Sequence, residues 1–353
     1  MTDLTEIRTK IDNLDKSIQD LLIERANLAQ AIGKFKTDGK YYYPEREAEI
    51  LRQVIERNQG PLTDEDLVKI FKSVINVNRN LQHKARIAFL GPLGTFSHAA
   101  VMKQFGEGVD LLATTTIPEV LQAVEQKTAD YGLVPIENSI EGVVNPTVDN
   151  LLGSPLLVCH EMVLPIHHYL LSRCENLEAI NQVYSHAQPL AQCQKWLERN
   201  LPNAALLPVK SSAQACMLAA REANTAAIAG KIALDYHQLN ILAEHVEDET
   251  NNVTRFYVVG QQATKSTGYD KTSLIVWLPH QAGSLAALLN RFAQNDINLS
   301  LLESRPCKQH VWEYIFFLEM EGHREDKKIQ TVLEQLTAEK IIFKILGSYP
   351  RAI

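Results

Sequence analysis

The sequence predicts a multidomain chain that is all-α first, then α/β, then α+β, and three observations carry that prediction. From Leu4 to Phe35 apolar residues recur every three or four positions, with no Pro or Gly before Gly33; that is the period of a helix face. Between residues 85 and 262 short apolar runs alternate with helical stretches and repeatedly end on small polar residues, as strands do when their ends carry a site. From 270 to 350 the order reads strand, helix, strand, strand, helix, strand. The expected domains are therefore 1–84, 85–262 and 270–350.

At 353 residues and 45% apolar content the chain is long enough for two or three globular domains. A net charge of −7 without a basic tail argues against general binding to nucleic acid or to a membrane surface. The five cysteines (Cys159, Cys174, Cys193, Cys216, Cys307) are odd in number, scattered and without a C-x-x-C pair, which fits reduced thiols. The polar, amphipathic N-terminus lacks the apolar core of a signal peptide. A cytoplasmic location is expected.

In the first segment Leu4, Ile7, Ile11, Leu14, Ile18, Leu21, Leu28, Ile32 and Phe35 form one seam, with Arg25 where the next apolar residue should fall. A continuous helix over Leu4–Lys36 would run about 50 Å, far longer than an 85-residue domain is wide. A second helix begins at Pro44 with Arg46 and Glu47 in its first turn and ends at Gly60-Pro61. Thr63 caps a third, with Leu67, Ile70, Phe71, Val74 and Ile75 inward. Two short helices cannot cover so long a seam, so the segment is expected to be an intertwined helical dimer.

Arg8, Arg25, Gly33-Lys34-Phe35-Lys36, Arg46-Glu47 and Gln82, in this order and spacing, resemble the all-helical chorismate mutases along nearly all of residues 1–84. The reaction, chorismate to prephenate, is a pericyclic rearrangement; it needs a dicarboxylate held in its compact conformer and charge stabilised on an ether oxygen. The resemblance implies that Arg8 and Arg25 bind the carboxylates and that Lys36 and Gln82 meet the ether oxygen. It gives the ring hydroxyl to Glu47, with Arg46 and Asn78 completing the pocket. Arg8 and Arg25 lie 17 residues apart, about 25 Å along one helix, so a shared substrate would need Arg8 from a partner chain. Two residues depart from the family pattern: Tyr43 stands where a second acid is usual, and Asn78 where a small hydroxyl residue is usual.

In the middle segment, strand Arg86–Leu90 runs into the turn Gly91–Ser97 and a helix near His98; such a turn can offer backbone N–H groups to an anion. It lacks both the P-loop lysine and the dinucleotide spacing. Strand Tyr131–Ile136 leads to Glu137-Asn138-Ser139 with Gly142 behind, and Met162–Leu171 could carry the chain into a second lobe. There Val183-Tyr184 precedes Ser185-His186-Ala187-Gln188 and a helix with Gln192 and Cys193, before strands Ala205–Leu207, Ala226–Ile228 and Val253–Val259. Mainly parallel pairing and two lobes around a cleft are expected. At the mouth of the last strand, Thr254-Arg255 sets a neutral hydroxyl beside a fixed cation. Adjacent His167 and His168 point to opposite faces of an extended chain and make a poor metal pair. No metal site is expected.

Gly91–Ser97, Asn138-Ser139-x-x-Gly142, Ser185–Gln188 and Thr254-Arg255-Phe256 resemble, in order, the signatures of the prephenate dehydratases, which share the two-lobed fold of periplasmic binding proteins. That resemblance implies removal of carboxylate and hydroxide together from prephenate, giving phenylpyruvate, without a cofactor. It makes Thr254 the acid or polariser of the leaving hydroxyl. Asn138, Ser139, Ser185 and Gln192 become substrate contacts, Thr95 and Ser97 donors from the first turn, and Arg255 the cation that attracts the dianion. Glu137 is as much a solvated strand-end acid, and His186 as much a positioning residue as a general acid. Ala187 stands where the family commonly has Pro.

After a polar linker, strands at Thr272–Leu278, Leu299–Ser304, Trp312–Glu319 and Ile341–Leu346 and helices from Gly283 and Asp326 make a ferredoxin-like sandwich. Glu303-Ser304-Arg305-Pro306 and Gly283-Ser284-Leu285 resemble the amino-acid-binding ACT module as it occurs in these dehydratases. The resemblance implies paired modules that bind phenylalanine at their interface, with Asn298 nearby, and feedback through the different affinity of two arrangements. Together the three resemblances imply a bifunctional enzyme acting on chorismate and prephenate and inhibited by L-phenylalanine, as a homodimer or a tetramer built from dimers. The alternatives are a dehydratase whose helical part only dimerises, and a non-enzymatic small-molecule sensor.

Overall fold

The computed structural model describes residues 4–36, 40–306 and 314–352; Cys307 and the start of the strand expected at Trp312 lie outside them. The chain forms two compact units, residues 1–85 with 105–110, and residues 86–104 with 111–353.

In the first unit α1 (Leu4–Phe35) is one unbroken helix of 32 residues, about 48 Å long. Its seam lies open: no residue of α1 is buried, Leu14 and Leu21 are 62% and 64% exposed, and Phe35 is 84% exposed. α2 (Pro44–Glu56) starts on its proline, whose missing N–H costs nothing in a first turn. α3 (Asp64–Asn80) is capped by the Thr63 hydroxyl, which accepts from Asp66 N at 3.1 Å. Ala48, Leu51 and Ile75 form the small buried contact of the two. A Cβ on Gly33 would meet Gln82 Cγ at 3.1 Å, so glycine there lets the end of α1 come close to the end of α3.

The second unit holds three sheets. β1 (Arg86–Leu90), α4 (Phe96–Phe105), β2 (Asp110–Thr114), α5 (Ile117–Glu125), β3 (Tyr131–Asn138), β4 (Gly142–Val143), α6 (Asn145–Gly153) and β5 (Leu157–Pro165) build the first lobe. The second lobe contains β6 (Tyr169–Ser172), β7 (Gln182–Ser185), α7 (Ala187–Gln192), α8 (Gln194–Asn200), β8 (Ala205–Pro208), α9 (Ser212–Ala219), β9 (Thr225–Ala229) and β10 (Asn240–Ala243). β11 (Val253–Gly260) then returns to the first sheet. The orders are β2-β1-β3-β11-β5, with β4 on β3, and β10-β6-β9-β7-β8.

Pairing is mixed rather than mainly parallel. β1–β3, β7–β9 and β7–β8 are parallel, while β11 is antiparallel to both β3 and β5, and β6 to both β9 and β10. The cause is the two passages between lobes, at residues 166–168 and 244–252. A strand returning from the second lobe enters the first sheet from the end at which β5 left it.

The third sheet is β13-β14-β12-β15, all antiparallel, from β12 (Asp270–Leu278), α10 (Ser284–Gln294), β13 (Leu299–Pro306), β14 (Tyr314–Glu321), α11 (Lys327–Ala338) and β15 (Phe343–Pro350). This is the expected βαββαβ order. One face packs on α10 and α11 through Leu274, Leu288, Phe292 and Val332. The other shares a core with the first lobe, where Ile275, Phe317, Leu346 and Tyr349 meet Val158 and Tyr257. A Cβ on Gly347 would come within 2.1 Å of Val158 O, so the two sheets touch backbone to backbone at that point.

Candidate functional site

In the helical unit, Lys36 and Gln82 are brought together from the ends of α1 and α3: Lys36 Nζ donates to Gln82 Oε1 at 2.8 Å. Because that oxygen is the acceptor, the Gln82 amide nitrogen is left as a donor beside the ammonium. Lys36 also lies over the Tyr43 ring, 4.6 Å from its centroid, so the residue standing in for the usual acid stabilises the cation through its π face. Glu47 Oε1 accepts from Arg79 Nη1 at 2.6 Å. Burial raises the Glu47 carboxyl above its ordinary value even though Arg79 pulls the other way. Arg79 is itself buried, held by Asn76 Oδ1 (2.7 Å) and Phe105 O (3.2 Å).

Asn78 turns its amide nitrogen onto Val74 O at 2.7 Å and leaves a buried Oδ1 without a partner among the described residues. Arg46 is mostly exposed and pairs with Glu49 at 2.9 Å. Arg8 and Arg25 lie on α1, exposed and half-buried respectively. One chain thus joins Lys36 to Gln82 and Glu47 to Arg79. It does not join Arg8 to Arg25.

In the second unit a cavity of about 560 Å³ opens in the cleft between the lobes, lined by Thr95, Ser97, Asn138, His168, His186, Gln192, Lys210, Asn252 and Thr254. Antiparallel register puts Thr254 opposite Asn138. Asn138 Oδ1 accepts from the backbone N–H groups of Ile140 (3.0 Å) and Glu141 (3.2 Å), which fixes the orientation of the amide. Asn138 Nδ2 therefore donates to Thr254 Oγ1 at 2.9 Å and to Asn252 Oδ1 at 2.8 Å. With its oxygen accepting, the Thr254 hydroxyl keeps its proton for a group in the cavity.

The amide chain continues. Asn252 Nδ2 donates to Gln192 Oε1 at 3.3 Å, as does His168 Nε2 at 2.9 Å. Gln192 Nε2 is then a buried donor with no acceptor among the described residues, a costly state unless a ligand oxygen completes it. Asn252 and His168, not singled out as contacts from sequence, are members of this chain.

The turn of residues 91–97 is shaped by His98. Its Nδ1 accepts from Gly94 N at 3.1 Å, its ring stacks on Phe89, and burial holds its pKa below the ordinary value. Thr95 accepts from His98 N at 3.4 Å at the start of α4, and Ser211 caps α9 from the opposite wall. Two helix N-termini thus face one cavity, a favourable setting for anions. His186 caps α7 through Nδ1.

Three expected contacts are not among the residues that line the cavity. Arg255 points away from Thr254, because successive strand residues face opposite sides; its guanidinium meets Glu137 (2.7 Å), Glu161 (2.8 Å) and Glu319 (2.8 Å). Burial alone would lower its pKa, but Glu319 and Glu161 drive it far upward, so it is a permanent cation inside the protein. The Ser185 hydroxyl is fully buried and donates to Ile228 O at 2.7 Å. Ser139 binds Asn251 O (3.2 Å) and Val253 N (3.0 Å), closing the turn beside β11. His167 and His168 do face opposite ways, yet His167 is not isolated: it meets His245 and Glu247.

In the third sheet Gly283 has φ +86°, the left-handed backbone that glycine accepts without strain, and it precedes Ser284 and Leu285 at the start of α10. Arg305 and Trp277 both register with Ile315, so Glu303, Ser304, Arg305 and Pro306 reach the same end of the sheet as that turn. Asn298 precedes β13 at the other end, about 23 Å from Arg305 at strand rise; one chain does not bring it to this group. Arg305 is bound to the first lobe, to Asp149 Oδ1 at 2.9 Å and to Asn145 Oδ1 in a short contact.

Residues 7–83 match the family Chorismate mutase type II, 87–264 match Prephenate dehydratase, and 272–338 match the ACT domain. The chain is 45% identical to a bifunctional chorismate mutase/prephenate dehydratase of Neisseria gonorrhoeae, covering 98% of this chain and 96% of that one. It is 40% identical to that of Aquifex aeolicus, over 100% and 99%. Among solved structures, a prephenate dehydratase of Arthrobacter aurescens in complex with L-Phe aligns over 75% of this chain and 90% of its own, with 35% identity and a TM-score of 0.70. With three matching segments in the same order, and relatives matched end to end, this chain belongs to the family of bifunctional chorismate mutase/prephenate dehydratases.

Proposed function

We propose that Lys36 and the Gln82 amide stabilise the ether oxygen of chorismate while it rearranges, and that Glu47 meets the ring hydroxyl as a hydrogen-bonding carboxyl. The open seam of α1 supports an intertwined dimer. Each leucine or isoleucine buried there contributes roughly 1.5–3 kcal/mol, and a partner's α1 would bring its Arg8 to this chain's Arg25. The domain division is 1–84, 85–262 and 270–350, with the last sheet as the regulatory part.

In the cleft, prephenate lies between the N-termini of α4 and α9, with Lys210 supplying the cation that Arg255 does not. Gln192 Nε2 takes a carboxylate or keto oxygen. Thr254 donates its proton to the departing hydroxyl while carbon dioxide leaves, and aromatisation of the ring drives the step. The observation that carries this assignment is the oriented pair Asn138–Thr254, which fixes a hydroxyl donor at the cavity wall.

Phenylalanine acts through α6. The third sheet holds this helix at both ends: Arg305 binds Asn145 and Asp149, and Lys344 Nζ donates to Leu151 O (2.8 Å), Leu152 O (2.9 Å) and Ser154 O. Asn145 and Pro146 line the cavity. A ligand carboxylate that competes for Arg305 loosens the helix and reshapes the wall. Free Cys159, Cys174, Cys193 and Cys216 support a reducing compartment, the cytoplasm.

Mixing chains tests the shared mutase site. Arg8→Ala and Arg25→Ala homodimers should each be inactive, whereas a mixture regains about a quarter of wild-type mutase sites, because half the dimers are mixed and one site in each is intact. No recovery on mixing would place both arginines in one chain's site or neither in any. Phenylpyruvate formation from chorismate as sole substrate reports both activities together.

A further inference from the structure

We propose that His167, His245 and Glu247 form a binding site for a divalent transition-metal ion of the zinc type, at the hinge between the lobes of the dehydratase unit. His167 belongs to the first passage between the lobes and His245 and Glu247 to the second, 78 and 80 residues further along the chain. The structure brings one donor atom of each to a common point. His167 Nδ1 is 2.8 Å from Glu247 Oε1 and 3.1 Å from His245 Nδ1, and His245 Nδ1 is 3.4 Å from the same oxygen.

Zinc–ligand bonds of about 2.0–2.1 Å in tetrahedral geometry set neighbouring donor atoms roughly 3.3 Å apart. The observed triangle brackets that value. Hydrogen bonding alone accounts for it poorly. Two imidazoles that face each other Nδ1 to Nδ1 put at most one proton on that contact, and each nitrogen is also aimed at the same carboxylate oxygen. One cation at the centre satisfies all three lone pairs.

The supporting shell has the form that metal sites require. The Glu247 side chain is 1% exposed, and its second oxygen accepts from His168 N at 2.8 Å, which fixes the carboxylate plane. The two histidine side chains are 36% and 52% exposed, which leaves an entry path and a fourth position for water. Imidazole with one carboxylate suits zinc, iron, nickel or copper and not magnesium or calcium.

The consequence is mechanical. An ion here ties the two inter-lobe passages together next to His168, whose Nε2 reaches Gln192 in the substrate cleft. The bound form sets the lobe angle more tightly than the free form does.

The test uses the untagged full-length chain, stripped with chelator and titrated with Co2+ and Zn2+. One equivalent per chain should bind, Co2+ should show the intense visible bands of tetrahedral coordination, and Zn2+ should displace it. His245→Asn keeps a residue that tolerates the left-handed backbone at this position (φ 54°). Glu247→Gln keeps the acceptor for His168 N. Both should fold as wild type by circular dichroism and bind at least 10–100-fold more weakly, the loss that even outer partners of a metal site produce. Absence of a stoichiometric site, octahedral Co2+ spectra, or affinity unchanged in both variants would overturn the proposal.

Discussion

Replacing Thr254 by valine removes one hydroxyl at constant volume, and the surrounding geometry fixes what should follow. Asn138 Nδ2 loses its 2.9 Å bond to Thr254 Oγ1 but keeps Asn252 Oδ1 at 2.8 Å. Its second N–H falls back on Val253 O at 3.4 Å, so the stability loss should be about 1 kcal/mol. The catalytic loss should be larger, because the missing proton donor acts where charge develops on the leaving oxygen. Deleting one such donor costs roughly 10²–10³ in kcat, or about 2.7–4 kcal/mol. Prephenate turnover, followed by phenylpyruvate absorbance in alkali, should fall by that factor in Thr254→Val, with urea midpoint nearly unchanged and chorismate consumption intact. Thr254→Ser should recover most of the rate. If valine stays within about tenfold of wild type, the proton comes from elsewhere; if both activities fall together, the damage is structural.

Arg255→Met should destabilise the second unit by roughly 3–5 kcal/mol, because it leaves the two buried carboxylates of Glu161 and Glu319 to share the single cation of Lys271; a raised KM for prephenate at unchanged urea stability would instead return Arg255 to the substrate. Asp149→Ala removes the partner of Arg305 without touching any ligand-binding motif and should change phenylalanine inhibition by a factor within about 5–150, whereas an unchanged inhibition curve excludes α6 as the route. His98 has a depressed pKa in the folded chain, so the unfolded chain binds its proton first; its share of stability is complete above about pH 6.5 and is lost as pH falls toward the folded value. Urea titrations across that window should show the loss, and His98→Gln should flatten it. Leu21→Glu in the open seam of α1 should leave the chain monomeric in sedimentation where the unaltered chain sediments as the proposed dimer, and should abolish mutase turnover while sparing the dehydratase.

What sequence revealed, and what it hid, divides along the strand containing Thr254. Thr254 and Asn138 were legible because short polar residues at strand ends have few structural uses, and their pairing follows from antiparallel register. Arg255 was misread because alternation turns it to the other face, where its partner Glu319 lies 64 residues away in a different sheet. Arg79 is a basic residue in the last turn of α3, not singled out from sequence, and only the contact with Glu47, 32 residues earlier, reveals it. Glu247 lies in an acidic run that reads as solvated surface, and its burial depends on two chain passages that meet only after the lobes form. Helix lengths, element order and the βαββαβ sheet were set by local periodicity and caps. The missed groups are those whose role depends on contacts distant in sequence.

The two attachments between the third sheet and the first lobe differ in kind, and that difference assigns them different work. Arg255 is held from three strands at once, by Glu137 of β3, Glu161 of β5 and Glu319 of β14, and Lys271 adds a second cation at 3.0 Å from Glu161. Tyr257 and Tyr349, fully buried beside Glu319, have hydroxyl pKa values driven well up by burial and then by that carboxylate, so they stay neutral donors. Moving one member of such a network strands another charge in a dry site, so β11 and the third sheet must move as one piece. The Arg305 side chain is about as covered as that of Arg255, but its carboxylate partner among the described residues, Asp149, is 25% exposed against 3% and 0% for Glu161 and Glu319, so exchange of Asp149 at this rim for another carboxylate costs less. A regulator that enters as an amino acid brings such a group. The buried network therefore keeps Thr254 in register with its amide partners whatever the state of the third sheet, and the rim contact is the part free to change.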